Sequence, residues 1–405
     1  MSFRHVLTVA TLLLVACVFV GQLRQLLADP TIWPPDDFVE YWAAAKLALT
    51  GENPYDPGLL LPLQQLTGRQ TEEAVMMWNP PWSLALVLPL GLLPAREAQL
   101  LWLAVNFLAI CFCGDRLWLL FGGSRERRWV GGLVVLASLP TAFALQSGQI
   151  GPLLLLGAVL FLECLRRGWE FWAGAATVLL AVKPHLAYLV WVAILFDAVV
   201  RGHWRVLVGG AVAGLICTLV ALACNHQVLQ QYADALGNRP PAQWVSPTIG
   251  TVLRLAVGAE LFRLQFIPVV LGLLWFAWYC RRFTSAFSSD GRVWDWCEQL
   301  PLLLLVSFVT APYGAWPFDM VLLLPTAMWL IIRTTPPTRK FIIAGLAAVN
   351  LGCLVLNLLH ITSFWFLWVS PAVLGLYLLA RMGRSSIRST PTGSIPSTDR
   401  ALVTA

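Results

Sequence analysis

The chain has 405 residues, of which 58% are hydrophobic and only 12% charged, and its mean hydropathy is +0.73. A water-soluble domain carries about 25% charged residues, so this composition excludes a soluble protein, and its excess of apolar side chains excludes a disordered one. The net charge of +6 comes from basic residues that are scattered without a basic stripe, which excludes nucleic acid as a partner. The sequence therefore predicts an all-α, polytopic integral membrane protein.

Apolar runs of membrane-spanning length recur along the chain. A span requires roughly 20 apolar residues unless protein or water covers its ends. We predict twelve transmembrane helices, at about 6–27, 98–121, 129–146, 151–165, 170–182, 186–200, 205–223, 262–280, 299–311, 318–333, 340–359 and 364–381. The run Trp82–Leu93 is too short and is bounded by prolines, so we predict that it is re-entrant or interfacial. Without a visible repeat, residues 1–384 are predicted to form one membrane domain.

The placement of Lys and Arg predicts the orientation in the cell membrane. Most of them fall in alternate loops, as in Arg125–Arg128 and Arg281–Arg282, which predicts cytoplasmic N- and C-termini. Residues 28–97 then form a first extracytoplasmic loop with short helices, and the Ser/Thr/Pro-rich residues 385–405 a disordered cytoplasmic tail. The N-terminal run can also be a cleaved signal peptide, but the apolar residues after Cys17 favour an uncleaved helix.

A short helix is predicted at the start of the first outer loop. Asp36 or Asp37 can cap it, residues 38–50 continue it, and Gly51 can end it. Asp37 with Glu40 can form a variant of the capping box, which is a structural alternative to a catalytic role. When two carboxylates are adjacent, their repulsion raises the pKa of one of the two, and a carboxylate with a raised pKa accepts a proton more readily. Either Asp37 or Asp36 can therefore be the catalytic carboxylate.

Polar side chains are costly at membrane depth, so those present are candidates for function. Under the predicted topology they gather on the outer face: Asp36, Asp37, Glu40, Tyr41, Ser147, Gly148, Gln149, Lys183, Pro184, His185, Tyr313, Asp319 and His360. Three spans that flank them are short for a bilayer. This predicts loops that dip into a polar, outward-facing cavity with an acidic side and a cationic side.

This charge arrangement suits a lipid phosphate that carries a leaving group. Lys183 can bind a phosphate as a point charge, and His185 can add a hydrogen-bond donor. An ionised Asp can accept the proton of an attacking hydroxyl. The residues themselves therefore predict glycosyl transfer from a polyprenyl-phosphate-linked sugar.

Five short elements also carry a family resemblance. They are the run Asp37-Phe38-(x)2-Tyr41-x-Ala43-Ala44-(x)2-Leu47-(x)3-Gly51-(x)2-Pro54-Tyr55-Asp56, then Asn79-Pro80-Pro81, Gly148-Gln149-Ile150, Lys183-Pro184, and Ala311-Pro312-Tyr313 with Asp319. In this order, over roughly residues 30–335, they resemble the signature elements of glycosyltransferase family 87, membrane enzymes of the GT-C class. The chain departs from that pattern at Gly151, where the family has Asn, and at Asn79, where it has Tyr.

The resemblance implies a GT-C-like fold and an inverting transfer. A sugar, often mannose but also another hexose or a pentose, passes from a polyprenyl-phosphate carrier to a lipid or glycan acceptor of the cell envelope, on the extracytoplasmic face. The acid of the first outer loop, here Asp37, then serves as general base. The donor already carries its phosphate on a lipid and no Asp-x-Asp pair occurs, so we expect no obligatory metal and no cofactor besides this co-substrate.

Each candidate in the cavity has a structural alternative. Lys183 can snorkel to the interface, Gln149 can cap a loop, and Asp319 can cap the tenth span. We predict nevertheless that the substrate contacts are Lys183, His185, Gln149, Tyr41, Glu40, Tyr313, Asp319 and Asn79. Trp78, Trp82 and Trp316 can stack on sugar faces or belong to the aromatic belt of the membrane.

Two other function classes fit twelve spans. A transporter or lipid flippase usually shows internal repeats and a site at the midplane, neither of which this sequence predicts. A non-catalytic assembly subunit is the third class, and it requires Asp37 to be dispensable. Membrane lipids, the lipid-linked donor and the acceptor are the predicted partners.

Overall fold

A computed structural model of the chain describes residues 35–240, 243–283 and 294–388. These residues form helices and connecting turns, with no strand among them, which confirms the all-α prediction. The predicted first span at 6–27 and the predicted tail beyond residue 388 lie outside the described residues. The last helix continues through Arg388, so residues 385–388 are helical, whereas the Ser-rich composition predicted disorder from Ser385.

The helices follow one another with short turns. Those before residue 170 are α1 (Phe38–Leu49), α2 (Pro57–Gln65), α3 (Leu84–Gly91), α4 (Ala95–Leu120), α5 (Arg128–Leu136), α6 (Leu139–Gln146) and α7 (Gly151–Arg166). The later ones are α8 (Glu170–Ala176), α9 (Tyr188–Arg201), α10 (Trp204–Cys224), α11 (Val228–Asn238), α12 (Ile249–Val257), α13 (Ile267–Cys280), α14 (Trp296–Val309), α15 (Leu324–Arg333), α16 (Pro336–Leu358) and α17 (Val369–Arg388). Short 3-10 turns extend several of them, notably Thr177–Val182 after α8 and Asp319–Leu323 before α15.

Six helical segments among the described residues are long and apolar enough to cross a membrane. They are Ala95–Leu120, Pro184–Arg201, Trp204–Cys224, Phe262–Phe283, Thr338–Leu358 and Ser363–Met382. The other predicted spans in the described residues coincide with helices that are shorter or broken, such as Glu170–Val182 and Trp296–Val309. Several apolar helices therefore fit a membrane protein, while the count of twelve and the orientation stay predictions.

The short helix α3 lies where the sequence predicts a re-entrant or interfacial segment. It is preceded by the 3-10 turn Pro81–Ser83 and ends at Gly91. Gly91 packs directly on α1, because a Cβ there would come 2.8 Å from the backbone of Ala45. Helix α3 is thus packed against the helix that carries the predicted catalytic acids.

The helices α8 and α10 meet backbone to backbone. A Cβ added to Gly174 would collide with the carbonyl oxygen of Val206, and one added to Gly209 with that of Phe171. Small residues allow such close approach, which is the usual source of helix association in a lipid environment. This contact holds the short segment 170–182, and with it Lys183, against a long membrane-spanning helix.

The predicted third span is broken. Helices α5 and α6 meet at an angle of 64°. A break at membrane depth exposes backbone groups that water cannot satisfy, and Asn350 of α16 satisfies two of them. Its Oδ1 accepts from the Leu139 N–H at 2.7 Å, and its Nδ2 donates to the Ala137 carbonyl at 3.0 Å.

Candidate functional site

The site begins where α1 packs on the turn that follows α6. The Phe38 N–H donates to the Ser147 carbonyl at 3.0 Å, and the Trp102 Nε1–H donates to the Gly148 carbonyl at 2.6 Å. Gly148 has a φ of +68°, and a Cβ there would lie 2.7 Å from the Phe38 Cβ. A glycine at this position therefore brings the first turn of α1 against the residue that follows, Gln149.

Gln149 is the centre of a buried hydrogen-bond network. Its Nε2 donates to Asp37 Oδ2 at 2.8 Å. Its Oε1 accepts from the Tyr41 hydroxyl at 3.0 Å and from Lys183 Nζ at 3.1 Å. Two donors on the oxygen and a carboxylate acceptor on the nitrogen fix the orientation of the amide. The side chain thus joins the acid of α1 to the lysine that precedes α9.

Lys183 forms an ion pair inside this network. Its Nζ lies 2.7 Å from Asp319 Oδ1, and the Asp319 side chain is only 1% exposed. The second oxygen of Asp319 accepts from the Trp316 N–H at 3.2 Å, which holds the carboxylate in place. A snorkelling lysine would extend its ammonium group to the interface; Lys183 instead directs it inward, with a side chain 13% exposed.

The sequence predicts a cavity with separate acidic and cationic sides, and the structure corrects this. Asp37, Gln149, Lys183 and Asp319 form one continuous chain of contacts. The prediction was wrong because Asp319 lies 136 residues from Lys183 in sequence, and only the fold brings its carboxylate onto the ammonium group.

Acids outnumber cations at this site. Burial raises the pKa of the Asp37 carboxyl above its usual range, and the neighbouring Asp36 carboxylate raises it further, whereas the Gln149 hydrogen bond lowers it. Burial also raises the pKa of Glu40 to about 8, with a further contribution from the Asp37 carboxylate. Glu40 is therefore mostly protonated at neutral pH.

The capping alternative for Asp37 finds no support in the geometry. Asp37 occupies the N-cap position of α1, but its side chain makes no capping hydrogen bond. Its carboxylate instead accepts from Gln149. Asp36 points away from the network, with a side chain 57% exposed and an oxygen 4.0 Å from Arg69. The predicted helix itself is confirmed, because α1 spans Phe38–Leu49 and Gly51 adopts a φ of +77°.

The remaining predicted residues surround the network. Asn79 is buried, and its Nδ2 donates to the Val182 carbonyl at 3.2 Å, which steadies the backbone just before Lys183. His185 packs on the Tyr313 ring with centroids 4.6 Å apart. His360 is exposed at the end of α16.

Trp244 is a site residue that the sequence does not single out. It lies between α11 and α12 and contacts Trp78, Tyr313 and Trp316, with ring centroids 5.6, 6.2 and 6.4 Å away. The sequence offers no other signal than a Trp between two apolar runs, in a chain that has 20 Trp residues.

An apolar groove of about 390 Å³ lies beside the network. It is lined by residues of α9, α10 and the segment before Lys183, including Thr177, Ala181, Trp191, Val206 and Gly210. Trp82 also lines it and donates its Nε1–H to the Ala181 carbonyl at 2.9 Å. The groove therefore borders the chain segment that ends at Lys183.

Over residues 35–240, 243–283 and 294–388, no three His, Cys, Asp or Glu side chains come together in a way that could hold a metal ion. Lys183 and the amide of Gln149 are the groups at the centre of the network that can donate hydrogen bonds to an anion.

The model of glycosyltransferase family 87 matches residues 78–289. This is more than half of the chain. The chain belongs to glycosyltransferase family 87. No curated protein and no solved structure matches it.

Family membership makes this chain a membrane glycosyltransferase, with a sugar donor and an acceptor as substrates. It decides against the transporter class. Three of the five elements that carried the resemblance fall within the matched residues, at Asn79, Gly148 and Lys183. The elements at Asp37 and Asp319 lie outside the match, yet the fold brings both of these acids into the network of Gln149 and Lys183.

Proposed function

We propose that this family 87 protein transfers a sugar, with inversion, from a polyprenyl-phosphate carrier to a hydroxyl of a lipid or glycan acceptor on the extracytoplasmic face. The observation that carries the proposal is the contact chain from Asp37 through Gln149 to Lys183, which joins a carboxylate and a cation in one buried network. A lipid-linked donor requires a cation for its phosphate, and transfer to a hydroxyl requires a base.

Lys183 is the proposed partner of the donor phosphate. An ammonium group has three N–H donors, and Asp319 and Gln149 use two of them among the described contacts. The ammonium group also lies 5.0 Å from the centroid of the Phe318 ring, and in the proposed complex its third N–H donates to a phosphate oxygen. Asp319 orients the ammonium group through its own bond to the Trp316 N–H, and His185 adds a ring beside Lys183.

The apolar groove is the proposed seat of the carrier chain. Its lining is almost entirely apolar side chains, and it ends at the segment that leads to Lys183. A lipid that carries its phosphate at one end can place its tail in the groove and its phosphate at the ammonium group. An apolar groove lined by Ala181, two residues before Lys183, favours a lipid-linked donor over a water-soluble nucleotide sugar.

Asp37 is the proposed base. The acceptor oxygen forms a bond to the anomeric carbon while the bond from that carbon to the phosphate oxygen breaks, and the hydroxyl proton passes to Asp37. The leaving phosphate takes the bonding electrons and needs no proton. One base is sufficient for this direct displacement, and the raised pKa of Asp37 improves its affinity for the proton.

The remaining contacts complete the proposed site. Glu40 and Tyr41 line its α1 side, Tyr313 lines the side of Lys183, and Asn79 positions the Lys183 backbone. Asp36 contributes through its charge on Asp37. No metal ion or cofactor besides the lipid-linked sugar takes part in the proposed step.

The direct test combines purified protein with a radiolabelled polyprenyl-phosphate hexose and a membrane lipid extract as acceptor. We expect a labelled glycolipid whose new linkage is inverted relative to the donor, and we expect mass spectrometry to find the same glycolipid lost from membranes that lack the chain. Labelling only from a nucleotide sugar would contradict the proposed donor. Full activity of Asp37→Asn would restore the non-catalytic subunit as an alternative.

The proposed side of the membrane has its own test. A reporter fused after Arg128 or Arg282 should give a cytoplasmic signal, and one inserted in the loop Cys224–Glu260 an external signal. The positive-inside distribution of Lys and Arg is the reason for this expectation. A cytoplasmic signal from that loop would place the site on the other face.

A further inference from the structure

Four aromatic side chains cluster beside the charged network, with the Trp78 and Tyr313 rings edge-on to Trp244 at interplanar angles of 70° and 86°. Trp244 lies at the centre of the cluster, with Trp78, Tyr313 and Trp316 around it. These four side chains, called the aromatic wall below, come from three separate outer segments of the chain. All four are partly exposed, unlike the large aromatic residues of the core such as Tyr41 and Trp329. Part of each side chain is therefore accessible.

The loop that carries Trp244 is rigidly anchored. The buried guanidinium group of Arg254, on α12, donates to the Trp244 carbonyl at 2.8 Å and packs over Phe262 at 5.3 Å. Thr248 caps α12 through the Thr251 N–H and donates to the Pro312 carbonyl at 3.5 Å. Burying a charged group is costly. We therefore infer that the buried Arg254 guanidinium group is present because the position of Trp244 matters for binding.

The aromatic wall adjoins the proposed phosphate position. The Trp316 N–H donates to Asp319, which in turn binds Lys183. The Tyr313 ring packs on His185, two residues after Lys183. The donor phosphate is bonded to two groups, the polyprenyl chain and the sugar. Because the apolar groove is proposed to hold the chain, the sugar is the group that lies next to this wall when the phosphate lies at Lys183.

We propose that the aromatic wall, with Trp244 at its centre, is the platform on which the sugar ring of the donor packs. This inference rests on the proposed function, since it uses the phosphate position at Lys183. A sugar ring has an apolar face of C–H groups and a polar rim. Trp and Tyr match both, with a flat apolar surface and a hydrogen-bonding edge, whereas aliphatic side chains would exclude the rim.

Kinetics with the full-length protein provide the first test. Trp244→Ala should raise the donor KM about two- to tenfold, the range expected for the loss of one aromatic contact, and leave the acceptor KM unchanged. Trp244→Phe, which keeps a ring, should recover most of the loss. Trp129→Ala is the matched control, because Trp129 is 62% exposed on α5 and away from the wall.

A binding experiment separates this inference from the proposed function. Saturation-transfer difference NMR with a hexose 1-phosphate, compared with inorganic phosphate, needs no turnover. We expect signals from C–H protons on one ring face that are lost in Trp244→Ala and kept in Asp37→Asn. If the wild type shows such signals but transfers no sugar, the proposed function fails and the platform stands.

Two outcomes would overturn the platform. One is a Trp244→Ala protein, folded by size-exclusion chromatography, that retains both the donor KM and the NMR signals. The other is an increase confined to the acceptor KM, which would assign the wall to the acceptor instead of the donor sugar.

Discussion

The ratio of acidic to basic side chains differs between the two ends of α7 and α9. At one end, three acids (Asp37, Glu40 and Asp319) share Lys183. At the other end, roughly 20 Å away along α7 at 1.5 Å per residue, Glu163 binds both Arg166 and Arg167, and Asp197 binds Arg201 and His203.

The difference supports the proposal that the cluster around Lys183 performs chemistry, whereas the clusters at Glu163 and Asp197 stabilise the fold. A buried acid with two basic partners, as at Glu163, has its charge satisfied and joins helix ends together. The cluster around Lys183 has more carboxyl groups than cations, and burial raises the pKa of Asp37 and of Glu40. Such perturbed pKa values are typical of an active site. Family membership alone does not distinguish these two clusters, and their charge balance does.

The strongest test of this comparison neutralises one acidic side chain in each cluster. Asp37→Asn should reduce turnover about 10²–10⁴-fold, the usual contribution of a positioned base, with unfolding unchanged. Asp197→Asn should leave kcat near that of the wild type and cost roughly 1–3 kcal/mol of stability, because Arg201, whose side chain is 33% exposed, and His203 lose their shared carboxylate. Transfer assays and thermal unfolding in detergent measure the two effects.

The comparison would be reversed by a stable, inactive Asp197→Asn or by an unstable, active Asp37→Asn. Asp36→Asn is the matched control for the first variant, since its side chain is exposed and outside the network. It should lower turnover much less than Asp37→Asn does.

Lys183→Ala should have the next largest effect. Charge-assisted hydrogen bonds contribute about 1.5–3 kcal/mol, so we expect donor kcat/KM to fall roughly ten- to a hundredfold. Lys46→Ala, on the same outer part of the chain, should not change it, because Lys46 packs over Trp42 outside the network. Unchanged donor kinetics in a folded Lys183→Ala protein would make Lys183 a structural residue.

Gln149→Leu should shift the pH dependence of the reaction. The base acts in its ionised form, and the hydrogen bond from Gln149 lowers the pKa of Asp37. Without that bond the pKa rises further, so the acid limb of kcat should move to higher pH. At a pH on this limb we expect a loss of about tenfold or less that recovers as the pH rises. A loss that is equal at every pH would contradict this role.

Glu40→Gln should have the smallest effect on turnover, and its effect on stability should depend on pH. The folded protein holds the Glu40 proton up to a pKa of about 8, whereas the unfolded value is near 4.5. Wild-type stability from this group is therefore complete below pH 4.5 and is lost as the pH rises to 8. Gln at position 40 does not ionise, so the variant does not lose this stability as the pH rises. The Tm of the variant minus the Tm of the wild type should therefore increase from pH 5 to pH 8. A constant difference would show that Glu40 is ionised throughout.

Local features of the fold could be predicted from the sequence. Helix α1 begins and ends where Asp37 and Gly51 indicate, because capping and left-handed turns depend on neighbouring residues. The apolar runs coincide with helices for the same reason. Gln149 and Lys183 were found because polar groups are conspicuous in apolar sequence.

The contacts of the site could not be predicted, because they join distant segments. Nothing near Lys183 in sequence indicates that Asp319 is its partner. Glu40 is protonated because it is buried, and the residues next to it in the sequence do not indicate that burial. Trp244 lies beside the site because Arg254 binds the Trp244 carbonyl and Thr248 binds the Pro312 carbonyl, and both contacts depend on the fold.

The break between α5 and α6 has a consequence for how the protein is made. Its exposed backbone groups are satisfied by Asn350, which lies 211 residues further along the chain than Leu139. During synthesis at the membrane, α5 and α6 therefore leave the ribosome long before Asn350 has been synthesised. The break lies just before Gln149, so we expect the candidate site of the newly inserted protein to be completed only after α16 has entered the bilayer and packed beside these two helices.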